Sequence, residues 1–147
     1  MAFLSIDLAK RFASEMVSVY GTFQQLEIKY TSMLQSGEKA QKLMGELVNF
    51  ASTTPFDLKG VSQSATQLVA YGTASEDVIE KLTRLGNIAA GLSQPIGDLV
   101  YLYGTSMTQG KLMTQDLYQF AGRGVPIFSD LAKVMGVNKD KFNDLAA

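Results

Sequence analysis

The 147-residue chain contains neither cysteine nor histidine. The first absence removes disulfides, thiolate nucleophiles and sulfur-held zinc. The second removes imidazole acid–base catalysis and the usual nucleophile triads. Few enzyme mechanisms survive both, so no catalytic, cofactor-binding or metal-binding residue is assigned, and the protein is expected not to be an enzyme. Charge of one sign is also lacking. Thirteen basic residues against fourteen acidic ones leave a formal charge of -1, so no whole-molecule field draws phosphates or anionic lipid toward the chain. No uninterrupted apolar run is long enough to cross a bilayer, and "MAFLSIDLAKRF" places charges where a signal peptide needs its apolar region. No membrane contact is therefore expected for this segment. Strand signals are scarce throughout, with no extended apolar–polar alternation between hairpin turns.

What remains is helical periodicity over a composition that is 46% hydrophobic, enough for one domain with a real core. Phe12, Met16, Val19, Phe23, Leu26, Tyr30 and Met33 follow one another at alternating intervals of four and three. That is a heptad seam. It predicts one long N-terminal helix over about residues 4–35, roughly 45 Å in length at 1.5 Å per residue. One flank of the seam holds Ala13, Tyr20, Glu27 and Leu34, more apolar than a two-stranded coiled coil requires. The wider stripe favours packing against several helices, within the chain or in an oligomeric bundle, over a simple dimeric coiled coil. The seam is thus a candidate surface for self-association or for a partner.

Further along, about six or seven shorter helices are expected, joined by Gly, Pro, Ser and Thr turns. Gln35-Ser36-Gly37 ends the first helix, and Ala40, Leu43, Met44, Leu47, Phe50 and Ala51 form the stripe of a second, antiparallel to the end of the first. In "TTPFD", Thr54 is the expected cap of the third helix, with Pro55 in its first position and Asp57 completing a capping box. Leu58, Val61, Ala65, Leu68 and Val69 form its stripe up to Gly72. Ser75 begins a fourth helix with Val78, Leu82, Leu85 and Ala89 inside, and Asp77–Lys81 and Glu80–Arg84 pairs outside. After Gly91, Pro95 opens a helix with Ile96, Leu99, Val100 and Tyr103 inside and Gly104 at its end. Following the polar "GTSMTQGK", Thr114 is the expected cap of a short helix bearing Leu117, Phe120 and Ala121. "QLVAYG", "DLVYLYG" and "DLYQFAG" share an apolar–aromatic helix end closed by Gly, better explained by recurrent helix termination than by a repeat. The fold class is all-α: a multi-helix array, residues 4–52 forming the long helix and its antiparallel partner, and 54–147 a compact multi-helix region of the same domain.

Several stretches invite a functional assignment. "GRGVP", residues 122–126, could aim Arg123 and backbone N–H groups at an anion, but it lacks a Gly-Lys-Ser/Thr ending and follows no strand, so a turn between helices is expected. Glu76, Asp77 and Glu80 suit a solvated helix start better than a metal or acid–base site. Tyr20, Tyr30, Tyr71, Tyr101, Tyr103 and Tyr118 lie mostly on or beside apolar stripes, with too few basic residues between them for a base-stacking platform. "SDLAKVMGVNKDKFNDL", residues 129–145, has helix-turn-helix spacing, with Leu131, Ala132, Gly136, Val137, Phe142 and Leu145 in place. Asp140 and Asp144 cancel Lys139 and Lys141 in the second helix, so a packing corner is expected there and nucleic acid is disfavoured as a partner. A nucleic-acid-binding or regulatory module over residues 126–147 is the alternative reading.

"TPFDLKGVSQSATQLVAYG", "LTRLGNIAAGLSQPIGDLVYLYG" and "GKLMTQDLYQFAGRGVPIFSDLAKVMGV", in that order, with "FQQLEIKYTSML" upstream, resemble the N-terminal tape-measure domain of phage and prophage tail length tape measure proteins. The similarity covers most of the chain, from Glu15 to Val137. It implies a long, largely helical protein that occupies the tail tube during virion assembly, determines its length and leaves ahead of the DNA. The expected partners are the protein itself and tail tube or tail assembly proteins. The expected locations are the phage tail and, during assembly, the host cytoplasm. The extended helical ruler of such proteins is missing from these 147 residues, so the chain is expected to be a fragment of a longer one.

Overall fold

The computed structural model describes residues 20–146. Phe12, Met16 and Val19, with the rest of the expected helix before residue 20, lie outside the described residues. The chain divides into two compact units, one up to Gly45 and one from Glu46. Among the described residues every regular element is helical.

In the first unit, residues 20–34 form α1, and α2 (Gly37–Thr53) follows after a break of two residues. The break is made by Gln35, which adopts a left-handed φ of 52°, rather than by Gly37, which is the first residue of α2. Ser36 then caps α2, its Oγ accepting from the Lys39 N–H at 3.2 Å. Gln41 Nε2 donates to Glu27 Oε1 at 3.0 Å. That bond spans the turn between α1 and α2. Tyr30, Ala40, Leu43 and Met44 are buried.

The second unit takes in the rest of α2, where Leu47 and Phe50 are buried. α2 ends in a cluster of hydroxyls: Ser52 and Thr53 donate to the Asn49 carbonyl, and Thr54 Oγ1 donates to the Phe50 carbonyl at 2.8 Å. These bonds satisfy carbonyls that a helix end leaves bare, and Pro55 prevents continuation. Thr54 is therefore engaged in closing α2 and does not cap the next helix. Asp57 is the cap of α3 (Leu58–Ala70), its Oδ2 accepting from the Gly60 N–H at 3.1 Å. A 3-10 turn at Ser75–Asp77 leads into α4 (Val78–Gly91), whose Val78, Leu82, Leu85 and Ala89 are all buried. Glu80 pairs with Arg84 one turn on. Lys81 does not turn back toward Asp77 as expected. Its Nζ donates to the Tyr103 hydroxyl at 2.8 Å and lies 5.2 Å from the ring centroid, a partly buried partner that combines a hydrogen bond with cation–π attraction.

The largest departure from expectation is α5. It runs from Ile96 to Thr108, through Gly104 rather than stopping there. Gly104 is buried within the helix, and a β-carbon on it would collide with the Tyr71 ring at the end of α3. The glycine makes room for the Tyr71 ring, a signal identical in sequence to a terminator. α3 and α5 form the most extensive helix pair of this unit, and α4 packs against both. Val61, Ala65 and Leu68 of α3 and Leu99, Val100 and Leu102 of α5 are all buried. Phe50 and Phe56 stack with centroids 6.4 Å apart and approach buried Gly86 on α4.

α6 (Thr114–Gly122) packs on α5, α7 (Ile127–Met135) on α6, and α8 (Lys139–Ala146) on α7. Met113, not Thr114, is the cap residue of α6; the stabilising side chain is Asp116, whose Oδ2 accepts from the Met113 N–H at 3.0 Å.

Gly104→Ala should destabilise the second unit by about 1–3 kcal/mol, the range for forcing a methyl into a packed core. Chemical denaturation of Gly104→Ala, Tyr71→Ala and the double variant checks the cause. Less destabilisation in the double variant than the sum of the singles is expected, because removing the ring makes room for the methyl.

Candidate interaction site

Arg123 follows α6 as its cap residue, and Gly124 beside it takes a left-handed φ of 91°. The guanidinium turns back on its own helix: Nη1 donates to the Gln119 carbonyl at 3.1 Å, and Nε lies 3.8 Å from Asp98 Oδ2 on α5. A helix end leaves carbonyls unsatisfied, and a cation there stabilises them. "GRGVP" is thus a helix closure held by Arg123.

The α7–α8 corner has the geometry its spacing predicts. Gly136 adopts a left-handed φ of 69°, and its N–H donates to the Lys133 carbonyl. Ala132 and Phe142 are buried with Leu117 in one small core, against which Ile127, Phe128, Leu131 and Val137 pack. Phe128 sits between Tyr118 and Phe142, 5.5 and 6.0 Å between centroids. Asn138 caps α8 by accepting from the Lys141 N–H at 2.8 Å. The side chain of Leu145 lies outside the described residues. Glu76, Asp77 and Glu80 are exposed, and among the described residues no group of three carboxylates gathers to hold a metal ion.

Of the heptad seam, Tyr30 is fully buried, while Phe23, Leu26 and Met33 are only partly so. Ile28, off the seam on the same helix, is 71% exposed.

The sequence gives no direct warning of a groove of about 470 Å³ in the second unit. Leu85, Leu99, Phe120 and Val125 line it from α4, α5, α6 and the turn after α6. Ile88, Met107 and Leu112 also line it and are exposed. Met107 lies in "GTSMTQGK", which reads as a polar spacer, and Leu112 follows it directly beside Met113.

A family model described as Tape measure protein matches residues 14–147. The chain belongs to the tape measure protein family. No curated protein and no solved structure matches it. As a tape measure protein it has a structural role in the phage tail, and its tail location and tail partners follow from the same membership. The all-helical architecture and the structural use of Arg123 and the α7–α8 corner accord with that role. Among the described residues of this tape measure protein, no helix is long and apolar enough to cross a membrane.

Binding of a mixed-sequence DNA duplex at low salt checks the corner's role. Neutral α8 should give no measurable affinity and hence no salt slope, whereas binding that falls steeply with salt would assign the corner to DNA. Phe142→Ala should cost about 3–5 kcal/mol, the range for emptying a buried phenylalanine site, read from the unfolding of the α7–α8 corner.

Proposed function

We propose that this tape measure domain takes part in determining tail length, occupying the tail tube during assembly in the host cytoplasm, and that it associates with itself through the seam of Phe12, Met16, Val19, Phe23, Leu26, Tyr30 and Met33. Membership of the family supports the first part. The second rests on one observation: Phe23, Leu26 and Met33 keep part of their apolar surface open although Tyr30, in the same register, is fully buried. A stripe of that kind gains by meeting a second helix, at about 25 cal/mol per Å² of apolar surface removed from water. The breadth of the stripe suits a bundle of more than two helices.

Light scattering on size-exclusion fractions at several concentrations tests the association. The parent chain should form an oligomer, and Phe23→Asp with Met33→Asp should return a monomer of unchanged helix content. A parent that stays monomeric, with Phe23→Asp merely unfolding it, would make the seam internal core. Tail length is tested by electron microscopy of particles assembled without this protein. Tails of irregular length, or none, are expected; uniform tails of normal length would contradict the proposal.

A further inference from the structure

The groove in the second unit combines three features. Its rim is apolar yet open: Ile88 is 40%, Met107 58% and Leu112 47% exposed. Exposed apolar side chains contiguous with a concave apolar floor mark a surface that something else desolvates. Its lining carries one charge, the ammonium of Lys111, and no carboxylate. It also holds Ser106, 7% exposed, whose Oγ is buried without a hydrogen-bond partner. The neighbouring hydroxyls of α5 behave otherwise: Thr105 and Thr108 return theirs to the Tyr101 and Gly104 carbonyls one turn back. The Tyr103 hydroxyl already accepts from Lys81. Lys111 Nζ is exposed and is the one charged group of the lining, a donor that a carboxylate matches.

The geometry points to a docking site for an amphipathic α-helix of a partner protein, one that lays apolar side chains spaced i, i+3, i+4 and i+7 into the groove and carries an acidic residue beside that stripe, toward Lys111. Open walls suit such an occupant better than a small amphiphile. A ligand confined to the floor leaves Ile88, Met107 and Leu112 wet, whereas a helix covers floor and rim together. Apolar burial would supply affinity, and the Lys111–carboxylate match would supply orientation and discrimination. The site is separate from the heptad seam, so it stands or falls independently of self-association.

The test uses the full chain and two labelled synthetic peptides of about 18 residues, long enough to hold helical structure on docking. They share one leucine stripe at the stated spacing and differ in whether glutamate or lysine flanks it. Fluorescence anisotropy at low salt should show the glutamate peptide binding about tenfold tighter or more than its lysine twin. Lys111→Glu should reverse that preference, and Met107→Asp should weaken both peptides. Met107 and Lys111 are exposed, so circular dichroism and the unfolding midpoint of these variants should match the parent. Equal binding of the two peptides, or indifference to Lys111→Glu, would overturn the proposal. Displacement of the glutamate peptide by dodecanoate at stoichiometric amounts would assign the groove to a small amphiphile instead. A parent oligomer that Met107→Asp converts to monomer would assign it to a second copy of this chain.

Discussion

The second unit depends on the contact between the Tyr71 ring at the end of α3 and the bare backbone of α5 at Gly104. Helix axes come close only where the side chains between them are small. Here the small position is Gly104 on α5, buried against the Tyr71 ring. α3 buries Val61 and Leu68, and α4, which packs on both α3 and α5, buries Val78, Leu82 and Leu85. Because α5 continues past Gly104 to Thr108, it also supplies the wall of the groove, including Ser106 and Met107. Packing and candidate docking site therefore share one helix, α5.

The helices after α5 are attached in series, α6 on α5, α7 on α6 and α8 on α7. Each link has its own local device: the Asp116 carboxylate at the start of α6, Arg123 at its end, left-handed Gly136 between α7 and α8, and the Asn138 cap. Their shared core of Leu117, Ala132 and Phe142 is small. This serial attachment explains why helix-turn-helix spacing appears in a tape measure protein without the charge that DNA affinity requires. The spacing solves the packing of two short helices across a tight turn, whatever lies outside them.

Much of this was legible in the sequence because helical periodicity and helix-end chemistry act locally. The stripes of α3 and α4, the turn at Gly136 and the burial of Ala132 and Phe142 all follow from residues within a few positions of one another. What escaped depends on neighbours distant in the chain. Gly104 resembles a terminator until Tyr71 is placed beside it. Lys81 resembles a partner for Asp77 until Tyr103 offers its hydroxyl. Thr54 resembles a cap, yet the nearer unsatisfied carbonyl of Phe50 takes its hydroxyl, and Asp57 caps instead. The groove was hidden for the same reason, since its lining comes from α4, α5, α6, α7 and the connections on either side of α6.

The α3–α5 pair organises the second unit, and α7 and α8 are appended to it. Native-state amide hydrogen exchange tests this most directly, because it ranks segments by the free energy of opening. Amides of Val61–Leu68 and Leu99–Leu102 should exchange only through global unfolding, and those of α7 and α8 should open at lower free energy. Protection in α7 and α8 that outlasts that of α3 and α5 would contradict it.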